Sequence, residues 1–283
     1  MKIGLVLEGG AMRGMYTAGV LDIMMDNNIN IDGIIGVSAG ALFGVNYFSK
    51  QRGRVIRYSK RFARNLRYMS MLSLLFTGNV VNKRFAYYKV PTKLDIFDEE
   101  EFIKNNKCYY VVVTNVKTGK PEYKKIDNCL SSLEVLRASS ALPMASKLVK
   151  LDNKFYLDGG ISDAIPIMKC KKLGFDKIIV VLTQPIDYRK KPLDEKTITK
   201  ISKKFKNYPK LVDTMKKRYK NYNDTVERII EMEKKGEVFV IRPSKQINVK
   251  IIERNKEKLQ EVYDLGIRDA NKMIDALKKY LED

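Results

Sequence analysis

Ile34-Ile35-Gly36-Val37-Ser38-Ala39-Gly40 reads as a buried strand that breaks at a serine and resumes as a helix. The apolar run over residues 31–37, with Asp32 and Gly33 inside it, has strand length, and Ala41, Leu42, Val45 and Phe48 then recur at helical spacing. Gly-x-Ser-x-Gly at a strand-to-helix corner is the nucleophile-elbow pattern: Gly36 and Gly40 let backbones crowd together, so the turn is sharp and the Ser38 hydroxyl stands clear of it. The same spacing also marks plain tight turns, so the partners of Ser38 have to be sought elsewhere in the chain.

Upstream, residues 3–7 form a first strand that runs into Glu8-Gly9-Gly10-Ala11-Met12-Arg13-Gly14. Met15, Ala18, Leu21, Ile23 and Met24 then suggest a helix ending near Asn27-Asn28. A glycine-rich turn at a helix start offers unpaired backbone N–H groups. A Walker loop needs Lys and Ser/Thr after Gly14, where Met15-Tyr16 stand, and a dinucleotide fingerprint needs glycine at position 11, which is Ala11. An oxyanion hole needs only two well-aimed N–H groups, which this loop can supply.

Composition narrows the chemistry. The chain has 283 residues, 45% apolar and 31% charged, with a formal net charge of +21 and no histidine. The charge favours anionic surfaces. The missing histidine removes the commonest general base and the commonest metal ligand together. Cys108, Cys129 and Cys170 are odd in number and widely spaced, so neither a disulfide framework nor a metal site is expected. No run approaches the ~20 apolar residues of a membrane span, and no signal-peptide pattern opens the chain. A cytoplasmic location is expected.

From residue 50 to 67 there are eight basic residues and no acidic one, with Arg54, Arg57, Arg61 and Arg64 forming a stripe offset from Val55, Tyr58, Phe62 and Leu66. Residues 68–76 follow as an apolar run. One expectation is a packed helix with solvated cations followed by a buried segment; the other is a basic amphipathic element that meets an anionic membrane and lends a lid. Further on, residues 98–101 start a helix, residues 109–114 and 121–126 pair as a hairpin, and residues 130–138 form a helix with Ser131 or Ser132 as cap. Residues 139–143 are a small-residue loop. A strand ends at Asp158-Gly159-Gly160, a corner like that at Ser38. Residues 177–182 are a parallel-type strand.

Between residues 187 and 220 thirteen Lys/Arg face four Asp/Glu. A strand at 237–242 and a final helix with Leu259, Val262, Tyr263, Gly266, Ala270, Ile274 and Leu277 on one face predict that this last third packs on the sheet. The expected division is a catalytic domain at 1–186 and a basic, mostly helical extension at 187–283. Strands alternate with helices, an α/β layer fold with a mainly parallel sheet. Its site lies beyond the C-terminal strand ends. Three loops fall there: Gly9–Gly14 with backbone donors, Gly36–Gly40 with a hydroxyl, Asp158–Gly160 with a carboxylate, the minimum set for acyl transfer.

Glu-Gly-Gly-Ala-Met-Arg-Gly, Gly-Val-Ser-Ala-Gly and Asp-Gly-Gly, in that order, with Ala-Ser-Ser-Ala-Leu-Pro at 138–143, resemble the patatin-like phospholipase family, and the basic last third is similar to the extension of a bacterial branch. The resemblance implies a three-layer α/β sandwich with a mainly parallel central sheet plus a mostly helical C-terminal extension. It implies a dyad of Ser38 as nucleophile and Asp158 as base, an oxyanion hole from Gly9, Gly10, Ala11, Met12, Arg13 and Gly14, motif glycines Gly36, Gly40, Gly159 and Gly160, fatty acyl ester substrates, and neither cofactor nor metal. Such a dyad accommodates the missing histidine. One departure stands out: the family's glycine triplet is here Gly9-Gly10-Ala11, and alanine is strained if position 11 needs positive φ.

The leading expectation is a lipid acyl hydrolase (phospholipase, lysophospholipase or esterase) held by its basic surfaces against anionic phospholipid at the inner face of the membrane. The alternative is a catalytically weak relative that binds lipid or a partner, for which Ala11 speaks. Nucleic-acid binding ranks last, because charge and the interleaved Tyr208, Tyr219 and Tyr222 are its only support.

Overall fold

Strands β1 (Ile3–Leu7) and β2 (Gly33–Val37) are buried along their whole length, as their unbroken apolar runs require of strands covered on both faces. The computed structural model describes residues 1–282. The remaining strands are β3 (Cys108–Asn115), β4 (Pro121–Lys125), β5 (Val149–Leu151), β6 (Lys154–Asp158), β7 (Lys177–Val181) and β8 (Phe239–Ile241). They form one sheet in the order β5-β6-β3-β2-β1-β7-β8, with β4 paired to β3. The pairs β1–β2, β1–β7, β2–β3 and β7–β8 are parallel; β3–β4, β3–β6 and β5–β6 are antiparallel.

Helices cover both faces: α1 (Gly14–Asp26), α2 (Ala39–Phe48), α3 (Arg54–Phe62), α4 (Met71–Thr77), α5 (Glu99–Lys104), α6 (Leu133–Ser139), α7 (Ile167–Lys172), α8 (Glu195–Lys204), α9 (Pro209–Lys234) and α10 (Lys256–Glu282). Alternation along β1 divides the core. Leu5 and Leu7 pack with Met15, Leu21, Phe43 and Leu259 on one side, and Val6 packs with Ile167, Val226 and Ile229 on the other. The result is a three-layer α/β sandwich.

The last third is built into these layers. β8 extends the parallel sheet beside β7, and α10 crosses α1 at van der Waals range. A Cβ added at Gly266 would lie 2.2 Å from the Tyr16 carbonyl oxygen, and one at Gly19 the same distance from that of Tyr263. Glycine is what lets these two backbones touch.

One feature of the register positions the site. β2 and β6 run toward each other along β3: Val37 pairs with Val112, and Asp158 pairs with the next residue, Val113. The corner after β2 and the corner after β6 therefore meet.

The hairpin expected at 109–126 is present, with Tyr110 opposite Lys125. Ser132 occupies the cap position of α6 but makes no side-chain cap bond. A wide π-helical segment, Lys83–Leu94, has no counterpart in the sequence reading, because its i→i+5 turns and Pro91 give neither a 3.6 nor a 2.0 period. Two expectations for residues 50–76 need correction. Arg54 is buried rather than solvated, and residues 68–76 are not a buried segment: α4 exposes Met71, Leu72, Leu75 and Phe76. No described helix is long and apolar enough to cross a membrane.

Candidate active site

Ser38 is the hinge between β2 and α2, with φ +53° and ψ −120°. A non-glycine residue there is strained by about 1–3 kcal/mol, so surrounding contacts must hold it. They do. The Ser38 N–H donates to Ser139 Oγ at 2.8 Å, and that hydroxyl donates to the Val112 carbonyl at 2.7 Å. Gly40 allows the tight corner, since a Cβ on it would sit 2.6 Å from the Leu7 carbonyl oxygen; Gly36 likewise abuts Ala41.

The Ser38 hydroxyl donates to Asp158 Oδ2 at 2.8 Å. Asp158 is 5% exposed. Its other oxygen accepts from the Gly160 N–H at 2.7 Å, its own N–H donates to the Ala141 carbonyl at 2.9 Å, and its carbonyl accepts from Thr114 Oγ1 at 2.8 Å. Gly159 packs on Val112, where an added Cβ would lie 2.2 Å from the carbonyl oxygen. Burial pushes the Asp158 carboxyl above the ordinary aspartate range, against the opposing pull of the Ser38 hydroxyl, the Arg218 guanidinium and the Gly160 N–H. Arg218, from α9, donates through Nε to the Gly160 carbonyl.

The glycine loop leaves β1 directly above Ser38. A Cβ at Gly9 would be 3.1 Å from the Ser38 Cβ, and Gly14 packs on Ala39 and Phe43. Ala11 has φ +48°. Among the described residues, the N–H groups of Gly10, Ala11 and Met12 donate to no backbone carbonyl; Arg13 N–H closes the turn onto the Gly10 carbonyl at 3.0 Å. Arg13 Nε is buried without a partner. Behind the loop Glu8 is 1% exposed, accepting from the Thr183 N–H at 2.6 Å and the Tyr222 hydroxyl at 2.9 Å. Lys190 lies 4.4 Å over the Tyr222 ring. Burial, with the nearby Arg218 cation, lowers its pKa to about 8.

Ser38, Ala11 and Met12 share the wall of a cavity of about 160 Å³ with Leu42, Phe43, Tyr87, Val80, Leu136 and Ile252. Arg54 also reaches this wall. It is fixed there by Asn46 Oδ1 at 2.9 Å, by Asp95, and between the rings of Tyr58 and Phe97 at 5.3 and 5.4 Å. Arg57 clamps the same Asp95 through two bonds of 2.9 Å. The basic stripe is thus partly consumed in holding α3 to the segment before α5.

The structure brings Ser38, Asp158 and the glycine loop to one place. Sequence reasoning misses Glu8, Ser139, Arg218 and Tyr222. The small residues at 139–143 are a signal for Ser139, and the glutamate that ends β1 is one for Glu8. Nothing local marks Arg218 or Tyr222, which arrive from 60 residues beyond Asp158.

A sequence model of the family described as patatin-like phospholipase matches residues 5–170, and one of a domain of unknown function (DUF6363) matches residues 208–282. The uncharacterized protein YjjU of Escherichia coli (strain K12) is 28% identical over 271 residues, covering 94% of this chain and 75% of that protein. Lysophospholipase nte1 of Aspergillus oryzae is 28% identical over 191 residues, 66% of this chain; the chain spans only 12% of that protein's length. The probable lipid hydrolase 463L of Invertebrate iridescent virus 6 is 27% identical over 209 residues, 63% of this chain and 69% of that one. Among solved structures, VipD from Legionella pneumophila shares the fold, with a TM-score of 0.51 over 97% of this chain and 67% of that chain at 13% identity. With the match at residues 5–170 covering more than half of its length, the chain belongs to the patatin-like phospholipase family.

Proposed function

We propose that the protein is a serine acyl hydrolase that cleaves fatty acyl esters of lipids through Ser38 and Asp158. The observation that carries this is the 2.8 Å bond to the buried Asp158 Oδ2 from the Oγ of Ser38, which lines a mainly apolar cavity. Asp158 takes the Ser38 proton as Oγ attacks the ester carbonyl carbon. Negative charge developing on the carbonyl oxygen is met by the free N–H groups of the Gly9–Gly14 loop, each worth about 2.7–4 kcal/mol to the transition state. Collapse expels the alcohol, which takes the proton from Asp158. Water then adds to the acyl-serine with its proton passing to Asp158, and the fatty acid leaves as Ser38 recovers its hydrogen.

An ordinary carboxylate, of pKa about 3.9, is a feeble base toward a hydroxyl. The upward push of burial on Asp158 is what makes it serviceable. Bound acyl chain strengthens the same effect by excluding water. In this reading residues 187–283 are an extension of the catalytic unit at 1–186, since Arg218 and Tyr222 brace its loops from α9.

A fluorophosphonate is expected to label the protein covalently, and Ser38→Ala to abolish labelling; labelling that survives removes Ser38 from the mechanism. Asp158→Asn is expected to eliminate turnover of a short-chain nitrophenyl ester while raising the melting temperature at neutral pH. The sign follows from linkage: the folded state binds the Asp158 proton more tightly than the unfolded chain, so its ionisation removes stability as pH rises above the unfolded value. Full activity in Asp158→Asn sinks the dyad.

A second reading, a weakly active relative that binds lipid or a partner, has one observation behind it: Ala11 at φ +48° in the loop that must supply the donors.

A further inference from the structure

Residues 50–94 contain twelve Lys/Arg and no Asp or Glu, and α4 stands in the middle of them. On α4 the residues Met71, Leu72, Leu75 and Phe76 are 66%, 49%, 76% and 82% exposed. At 100° per residue they fall within one 140° arc, a single apolar face turned to solvent. Soluble proteins seldom leave so many large apolar side chains together without a partner.

The base of this projection is firm. Met69 and Val81 form a β-bridge, the Asn82 N–H donates to the Tyr68 carbonyl at 3.1 Å, and the Val80 N–H to the Ala145 carbonyl at 2.8 Å. Ser70 caps α4 by accepting from the Ser73 N–H at 2.9 Å. The inner side of that base, Tyr68, Met69, Val80 and Val81, lines the cavity that holds Ser38, so α4 stands on the cavity wall.

Its surroundings are cationic. Arg67 and Arg84 flank the bridge, exposed and without an ion pair among the described residues. The Lys147 stem lies against Gly78, which ends α4. Lys204 of α8 donates to the Pro143 carbonyl at 2.7 Å, beside Met144, which is 46% exposed. Ile251 both lines the cavity and is 61% exposed, and its segment is tied by Arg254 to the Ala63 and Arg64 carbonyls at the end of α3.

An apolar projection ringed by cations, standing on the wall of an apolar cavity, fits a bilayer with acidic headgroups. We propose that this face docks on an anionic phospholipid bilayer, with Met71, Leu72, Leu75 and Phe76 entering the interface beside the cavity. From the acyl hydrolase reading it takes only the direction from which substrate arrives. Sequence periodicity over residues 50–76 places the cations on α3; the structure shifts the contact to α4, because Arg54 and Arg57 are spent on Asp95.

The test uses the full chain carrying Ser38→Ala and vesicles of phosphatidylcholine alone or mixed with phosphatidylglycerol. Binding is expected to the mixed vesicles, weakening with added salt, and to fall about tenfold or more with Leu75→Asp plus Phe76→Asp. In the Ser38 background the same pair is expected to leave turnover of a water-soluble nitrophenyl ester unchanged, showing that the fold is kept. Vesicle binding that ignores both substitutions overturns the proposal. So does a dimer in solution that the pair dissociates while vesicles bind neither form, which would make the face an interface between copies. If α4-dependent vesicle binding is seen but no ester is turned over, the docking surface stands and the hydrolase reading falls.

Discussion

The two corners that carry Ser38 and Asp158 meet on one strand but are held in opposite ways. Ser38 sits in a strained backbone conformation, φ +53°, with its side chain free to act; Asp158 sits in a relaxed one, φ −46° and ψ 128°, with its charge out of water. One corner stores its energetic cost in the backbone, the other in desolvation. Val112 serves both: its carbonyl accepts the Ser139 hydroxyl that clamps Ser38, and Gly159 packs against it. A strained corner needs an external clamp, whereas a buried charge needs donors, and the residues around each differ accordingly.

Removing the clamp is the strongest way to break this contrast. Ser139→Ala leaves the buried Ser38 N–H without an acceptor, which costs about 1–3 kcal/mol, and lets the corner relax. The proposed nucleophile then drifts, and displacements of the order of an ångström cost about 100-fold in rate. A fall in kcat of about 10- to 100-fold with KM little changed is expected, with fluorophosphonate labelling slowed rather than lost. A wild-type kcat would mean that Ser38 holds its conformation without Ser139.

The Asp158 side is probed through Arg218, whose cation lowers the Asp158 pKa and whose Nε holds the Gly160 carbonyl. In the proposed mechanism the base works deprotonated, so activity is lost as pH falls through its raised pKa. Arg218→Ala removes a stabilising cation and raises that pKa further. The acid limb of kcat/KM is expected to move to higher pH, modestly because Arg218 is solvent-exposed and its field is screened. Arg218→Lys is expected to restore most of the limb. A limb that stays put in Arg218→Ala would confine Arg218 to bracing the loop.

The same contrast explains what the sequence discloses. Glycine beside a reactive residue at a strand end is a local pattern, so the Gly36–Gly40, Asp158–Gly160 and Gly9–Gly14 corners are legible, as is the parallel sheet in the unbroken runs of β1, β2 and β7. The clamp and the bracing are not local. Ser139 reaches Ser38 across 101 residues, and Tyr222 reaches Glu8 across 214. No periodicity encodes such pairings. Charge misleads in the same way. Arg54 belongs by spacing to a surface stripe, yet it packs between Tyr58 and Phe97, a choice visible only once residues 95–97 are folded back on α3. Exposure of α4 is also hidden, since an apolar run reads as buried whatever covers it.

Ala11 is the smallest lever and the one that separates the two functional readings. It shares positive φ with Ser38, but no clamp comparable to Ser139 holds its N–H, and its conformation costs alanine about 1 kcal/mol that glycine would not incur. Ala11→Gly is therefore expected to stabilise the fold by about 1 kcal/mol, a rise of about 2 °C in a chain of this size. Its effect on kcat is expected to stay within about twofold, because the Gly10 carbonyl already closes the turn with Arg13 and the loop is packed on Ser38 through Gly9 and on Ala39 through Gly14. Melting curves and nitrophenyl ester kinetics on the same preparation check both. Alanine that merely strains the loop leaves kcat alone and raises only Tm on replacement. Alanine that twists the donors out of line, as the weakly active reading requires, instead gives a gain in kcat approaching the ~100-fold worth of one oxyanion contact.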